Sequence, residues 1–168
     1  LPDIDFSLLP RDFCRRMEVT GITGRGCLYR RAYCQEFRFW GGVQRQHPVA
    51  TVAGELDRLA REYGNRTIAI DDSMLDLRAP YFVDLCRALA AGGNLDDTFQ
   101  LLTRIDTVSA DGLRALRDAG IRRIATGLES GSDRVLAAMN KGTSVAVLRA
   151  GLETIARAGV LVTAYLMA

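Results

Sequence analysis

The sequence contains no apolar run that approaches the about 20 residues needed to cross a bilayer. Its first residues, LPDIDFSLLPRDF, lack the order of a secretory signal peptide, in which basic residues precede an apolar run. Histidine is limited to His47, which precedes Pro48 at a predicted helix start and is interpreted as a solvated loop residue. We therefore expect a cytoplasmic protein without a membrane partner.

Neither charge nor cysteine content defines a partner. The 22 basic and 20 acidic side chains leave a net charge of +2, which does not indicate a nucleic-acid partner. Four cysteines in 168 residues are too few for a disulfide scaffold, so each is interpreted as a core residue or a metal ligand. The 48% of hydrophobic residues is typical of one globular domain with a sizeable core.

From Met17 onward, short β-rich runs alternate with longer segments of helical period, which predicts βαβ units and a parallel sheet. The five predicted strands are Met17–Thr23, Thr67–Asp71, Thr98–Arg104, Ile121–Gly127 and Val160–Met167. Gly64, Gly120 and Gly159 mark equivalent helix-to-strand junctions. Ser109 is the predicted N-cap of the helix after the third strand.

The pattern of one predicted helix assigns Cys86 to the hydrophobic core. Phe82, Leu85, Cys86 and Leu89 recur at helical spacing, so Cys86 is expected to be buried. Cys14 precedes the first strand and is likewise interpreted as a packing residue.

Periodicity alone does not separate a barrel from an open doubly wound sheet. No GxGxxG follows the first strand, which disfavours a dinucleotide-binding fold. The predicted fold class is therefore α/β, a partial parallel βα barrel with about five βα units.

In either parallel architecture, functional groups gather where strands end. The first such segment reads GRGCLYRRAYCQE. It resembles the cysteine loop of the radical S-adenosylmethionine (radical SAM) family, which follows the first strand and reads C-x3-C-x2-C. Here those positions carry Cys27, Arg31 and Cys34, and Tyr33 matches the aromatic residue before the last cysteine. The segments FWGG, PDIDFSLLP and GLESGSDRVLAAMNKG also resemble this family, the last two its cobalamin-binding branch.

The resemblance implies a four-iron four-sulfur cluster whose three thiolate ligands leave one iron open to S-adenosylmethionine. An electron from the cluster then cleaves the sulfonium and yields a 5′-deoxyadenosyl radical. Cys27 and Cys34 are the implied metal ligands, whereas Arg31 cannot be one, because a guanidinium has no lone pair to offer. A zinc site is discarded, since two cysteines cannot complete a tetrahedral site.

The resemblance also implies cofactor-binding roles after the fourth strand. Glu129 or Ser130 would contact the ribose of S-adenosylmethionine, and Lys141 would reach its carboxylate. Ser132 has the alternative role of N-cap for the next helix, and Lys141 that of a solvated surface residue.

Three further residues are candidates at the ends of strands two and three. Asp71 and Asp72 could pair with the methionine amine, or they could hold a turn. Arg104 could point toward a cofactor or substrate carboxylate, or it could pair with Asp106 or Glu129. Tyr33, in the cysteine loop, completes the candidate cofactor contacts.

We expect residues 1–16 to be a connector and residues 17–168 to be the partial barrel, cut at its C-terminal end. Two functions remain open. The first is a radical SAM enzyme domain with a small-molecule or peptide substrate, a flavodoxin or ferredoxin as electron donor, and possible cobalamin binding through a domain before Leu1. The second is a barrel without cluster or catalysis that acts as a binding module.

Overall fold

The computed structural model describes residues 19–63, 67–92 and 98–167, together with residues 8, 10 and 12. Most of the predicted connector, Cys14 and Gly64 lie outside these residues. In chain order the elements are β1 (Val19–Gly21), β2 (Gly24–Arg25), α1 (Glu36–Trp40), β3 (Arg45–Gln46), α2 (Val49–Tyr63), β4 (Thr67–Ile70), α3 (Pro80–Gly92), β5 (Thr98–Thr103), a 3-10 helix (Ile105–Thr107), α4 (Ala110–Asp118), β6 (Arg123–Glu129), α5 (Asp133–Ala138), α6 (Val145–Arg157) and β7 (Leu161–Leu166).

Five strands form one sheet in the order β1-β4-β5-β6-β7, and every neighbouring pair is parallel. The prediction of five parallel strands in sequence order is therefore confirmed. Because parallel strands end at the same edge, the loops after β1, β4, β5 and β6 meet there. The short antiparallel ladder between β2 and β3 was not predicted.

The helices cover the sheet with the apolar faces that their period predicts. On α3, Phe82, Leu85, Cys86 and Leu89 are all buried, which confirms Cys86 as a core residue. Burial raises the pKa of the Cys86 thiol to about 12, so this thiol stays protonated. Each buried leucine contributes about 1.5–3 kcal/mol relative to an exposed one.

The strand β6 ends two residues later than predicted. Ile121 lies before the strand, because its amide donates to the carbonyl of Leu116 and closes the end of α4 at 3.0 Å. At the other end, a bulge between Gly127 and Glu129 lets Glu129 pair with Leu166 of β7. Glu129 is therefore the last residue of β6, and the pairing with β7 sets the position of its backbone.

The predicted helix caps have different outcomes. Ser109 accepts a hydrogen bond from the Gly112 amide at 3.1 Å, as expected for an N-cap. Ser132 occupies the N-cap position of α5 as predicted, although its side chain makes no capping hydrogen bond. Its own amide donates instead to the Ser130 hydroxyl at 3.2 Å.

The junction glycines that the structure describes behave as predicted. Gly120 and Gly159 have φ angles of 81° and 68°, a conformation that glycine adopts without steric cost. Among the described residues, none of the helices has the length and apolar character needed to traverse a membrane.

Candidate cofactor site at the strand ends

Asp72 joins the ends of β1 and β4. Its carboxylate accepts hydrogen bonds from the Thr23 amide at 2.7 Å, from the Gly24 amide at 3.2 Å and from the Thr23 hydroxyl. Burial raises the pKa of Asp72, and these hydrogen bonds oppose the rise. Asp71, next to it, is exposed. Both Asp72 oxygens are thus engaged in holding the start of the cysteine loop.

The cysteine loop packs closely against the segment that precedes β3. Gly26 has a φ angle of 93°, and a Cβ there would lie 1.9 Å from the carbonyl oxygen of Val43. Only glycine allows this approach, which leaves the next residue, Cys27, fully buried. Cys34, at the far end of the loop, is partly buried.

The Arg31 side chain lies next to the first cysteine. Its Nη2 is 4.0 Å from the Cys27 sulfur. Burial lowers the pKa of Arg31, but its hydrogen bonds to Tyr33 and Cys27 outweigh that effect and the net pKa is raised. The side chain therefore carries its charge at any accessible pH.

A cluster held by three thiolates does not fit this loop as the structure describes it. The position between Cys27 and Cys34 holds a guanidinium, which donates hydrogen bonds and cannot ligate iron. Within the described ranges, no group of three or more His, Cys, Asp or Glu side chains is placed to hold a metal ion. The loop supplies two thiolates and one permanent cation.

Glu129 and Lys141 form a buried ion pair at the end of β6. Lys141 Nζ lies 3.4 Å from Glu129 Oε1, and the two residues are 3% and 8% exposed. Burial lowers the pKa of Lys141; Glu129 opposes that shift, while Arg31 and Arg104 add to it. Lys141 is therefore not the solvated surface residue of the alternative interpretation.

The Glu129 carboxylate folds back over the strand that carries it. The residue has a φ angle of 65°, which is uncommon for any residue other than glycine. A Cβ on Gly127 would lie 2.1 Å from Glu129 Oε1. The small residue two positions earlier thus provides the space that the carboxylate occupies.

Arg104, just after β5, is 4% exposed and tightly held. Its Nε donates to Asp106 at 2.8 Å, and its Nη2 donates to the Lys141 carbonyl at 2.8 Å. The guanidinium carbon lies 4.0 Å from the centre of the Tyr29 ring, a stacking contact that sequence reasoning missed. The ion pair with Asp106 that the sequence offered as one alternative is present.

The cysteine loop is also fixed from the side of α5. The Ala32 amide donates to the Met139 carbonyl at 2.9 Å, and Asn140 Nδ2 donates to the Arg30 carbonyl at 2.7 Å. These bonds join positions that no sequence spacing connects, and the sequence offered no signal for them. The loop and the end of α5 therefore act as one wall of the site.

A cavity of about 160 Å³ lies among these strand ends. Three predicted residues, Arg104, Glu129 and Lys141, line it together with Arg31. Two of its donors, Arg31 Nε and Arg104 Nη1, are buried and have no hydrogen-bond partner in the described part of the chain. Unpartnered buried donors indicate a place for a polar ligand group or water.

Other predicted site residues lie around this cavity rather than in it. Tyr33 is within hydrogen-bonding reach of both Arg31 and Glu129, and burial raises the pKa of its hydroxyl. The Ser130 hydroxyl accepts from the Ser132 amide. Asp71, Asp72 and the two cysteines belong to the loops that shape the site.

A family model of the Radical SAM superfamily matches residues 22–168, which is most of the chain. The chain belongs to the radical SAM superfamily. An uncharacterized methyltransferase of Pyrococcus horikoshii is 28% identical to this radical SAM chain over 148 residues, 84% of the chain and 31% of the relative. A putative methylthiotransferase of Methanocaldococcus jannaschii is 30% identical over 165 residues, 85% of the chain and 34% of the relative.

Solved structures share the fold of this radical SAM chain. The methyltransferase TsrM of Kitasatospora setae, with cobalamin and a four-iron four-sulfur cluster bound, superposes with a TM-score of 0.81 at 19% identity, over 92% of the chain and 32% of TsrM. The cobalamin-dependent enzyme OxsB, with aqua-cobalamin and S-adenosylmethionine bound, superposes with a TM-score of 0.76 at 22% identity. This match covers 90% of the chain and 24% of OxsB. The predicted radical SAM barrel fold is thereby confirmed. The chain spans about a third of the length of its curated relatives.

Proposed function

We propose that this chain is the S-adenosylmethionine-binding domain of a radical SAM enzyme related to the cobalamin-dependent methyltransferases. The observation that carries the proposal is the buried group of Glu129, Lys141 and Arg104 around one cavity at the strand ends. A carboxylate at such an edge can accept both ribose hydroxyls, and buried cations can receive a carboxylate.

The contacts support separate roles for these residues. Glu129 is held by Lys141 on one side, so its second oxygen is the one offered to a ribose hydroxyl. Arg104 keeps one donor, Nη1, without a partner in the described residues, although Asp106 and the Lys141 carbonyl engage the others. Both side chains are held in place by neighbours, which limits the entropy lost when a ligand binds.

Radical generation is proposed only for a form of the protein in which a third iron ligand joins Cys27 and Cys34. A bound cluster would supply the electron that cleaves S-adenosylmethionine, with flavodoxin or ferredoxin as its donor. The residues described here would hold the nucleoside and amino-acid ends of that molecule. Cobalamin and the substrate, a small molecule or a peptide, are assigned to parts of the protein outside this chain.

A second candidate is a binding module without cluster chemistry. The contact between Arg31 and the Cys27 sulfur favours it, because a permanent cation occupies the position of the missing ligand. Iron loading of an Arg31→Cys variant separates the two candidates, as argued in the Discussion.

Calorimetric titration with S-adenosylmethionine tests the proposal on the parent chain and on Glu129→Gln. The variant keeps the shape of the side chain but loses the charged acceptor, and we expect affinity to fall about tenfold or more. Glu153→Gln, an exposed carboxylate on α6, is the matched control and should bind like the parent. A parent that binds no S-adenosylmethionine, with or without iron, would refute the proposed function.

A further inference from the structure

The cavity at the strand ends is lined by three cations, of which two have a carboxylate partner. Lys141 is paired with Glu129, and Arg104 is paired with Asp106. Arg31 forms no ion pair with any carboxylate in the described part of the chain. Among the described residues that line this cavity, the Arg31 guanidinium is therefore the one cation without a carboxylate partner.

Arg31 is also held ready to bind a ligand. Its Nε is buried and has no hydrogen-bond partner among the described residues. Its Nη2 lies 4.0 Å from the Cys27 sulfur, and thiol sulfur is a weak acceptor. The Tyr33 side chain is also within hydrogen-bonding reach of Arg31. The Arg31 guanidinium is thus held in position, while part of its hydrogen-bonding capacity stays unused.

The charge of the cavity selects the kind of ligand group. The three lining cations, the lining carboxylate of Glu129 and the Asp106 carboxylate that pairs with Arg104 leave a net charge of +1 (3 − 2) at the cavity. A guanidinium and a carboxylate form paired, charge-assisted hydrogen bonds, which are among the strongest in proteins. With about 160 Å³, the cavity has room for the amino-acid end of a ligand, whereas whole ligands need about 300 Å³ or more.

We propose that Arg31 binds the α-carboxylate of S-adenosylmethionine directly, in place of a cluster iron, so that this chain binds the molecule without iron. The inference rests on the proposed function, because it assumes that S-adenosylmethionine is the ligand of this cavity. It follows from the poor fit of an iron-sulfur cluster to this loop. Arg31 stands where a third iron ligand would be, and its guanidinium can pair with a carboxylate. No bond is formed or broken in this step.

Three ligands distinguish a carboxylate contact from other contributions to binding. S-adenosylmethionine carries the carboxylate, decarboxylated S-adenosylmethionine lacks only that group, and 5′-methylthioadenosine lacks the whole amino-acid end. Each is titrated by calorimetry into chelator-treated, iron-free protein. For the parent we expect the first ligand to bind about tenfold or more tightly than the second.

Variants then assign the carboxylate effect to one side chain. In Arg31→Gln, the preference for S-adenosylmethionine over its decarboxylated form should fall to about one, while Arg31→Lys should keep part of it. The matched control is Arg30→Gln, which removes the same charge from the neighbouring position. Arg30 is exposed and lies over the Phe37 ring, so its loss should leave the preference unchanged. Circular dichroism melting verifies that all variants are folded.

The outcomes separate this inference from the proposed function. Equal binding of the first two ligands by the iron-free parent would overturn the role of Arg31 while leaving S-adenosylmethionine binding in place. Binding seen only in Arg31→Cys loaded with iron would overturn both, because the parent chain would then bind no S-adenosylmethionine. If none of the three ligands bound to any form of the protein, the proposed function and the inference would both be wrong.

Discussion

Lys141 Nζ lies 3.4 Å from Glu129 Oε1 in a pair that is almost wholly withdrawn from water. One partner ends β6 and the other follows α5, so the pair holds the strand end against the turn after the helix. A buried pair adds little net stability by itself, but each partner becomes a costly unpaired charge when the other is removed. The charged side chains of Glu129 and Lys141 therefore keep their places at the cavity only when both are present.

Glu129→Ala should lower the free energy of unfolding by about 3 kcal/mol, because it leaves the Lys141 ammonium buried without a partner. Adding Lys141→Met should recover most of that loss, because the unpaired charge is then removed too. Urea denaturation of the parent, both single variants and the double variant measures the coupling. Glu153→Ala, which breaks the exposed pair with Arg157, should cost less than about 1 kcal/mol. Additive losses in the cycle would contradict the coupling.

Gly127→Ala should displace the Glu129 carboxylate, because the new Cβ would lie 2.1 Å from Oε1. We expect S-adenosylmethionine affinity to fall about as much as in Glu129→Gln, with a loss of about 1–3 kcal/mol in stability. The control is Gly131→Ala in the following loop, where a Cβ meets no atom within 4 Å. Calorimetry and thermal melting compare the two. Equal behaviour of the two alanine variants would disprove this packing argument.

Asp72→Ala should destabilise the protein by about 2–3 kcal/mol, because the Thr23 and Gly24 amides would lose their acceptor in a buried place. The cysteine loop begins at these residues, so Cys27, fully buried in the parent, should react faster with a thiol reagent. Asp71→Ala changes the same residue type at an exposed position and should have little effect on either measurement. Chemical denaturation and the rate of Cys27 modification, identified by mass spectrometry, provide the test. A parent-like rate in Asp72→Ala would show that this carboxylate does not hold the loop.

Anaerobic reconstitution should load little iron into the parent chain, because two thiolates leave a second iron without a ligand and Arg31 places a cation beside them. Arg31→Cys should accept about four irons per chain, as this cluster type requires. Iron and sulfide analysis with ultraviolet-visible spectra distinguishes the two. Arg31→Ser, which removes the cation without adding a thiolate, is the control and should stay poorly loaded. Full loading of the parent would mean that a ligand outside the loop completes the site.

Local patterns predicted the large elements well. The helical spacing of Phe82, Leu85, Cys86 and Leu89 predicted the buried face of α3, since side-chain spacing along a helix depends on the chain alone. Strand boundaries were less accurate. The end of β6 depends on a bulge opposite β7, and that pairing involves residues distant in the sequence.

The sequence by itself determined the alternation of strands and helices, the fold family and the break in the cysteine motif at Arg31, because these are properties of residue type and spacing. Only the tertiary structure decided which charges are paired. Asp72 bonds to Thr23 across 49 residues, and Glu129 meets Lys141 across 12. Such contacts depend on how parallel strand ends and their loops converge in space. For that reason Arg31, and not Arg104 or Lys141, emerged as the cavity-lining cation without a carboxylate partner among the described residues.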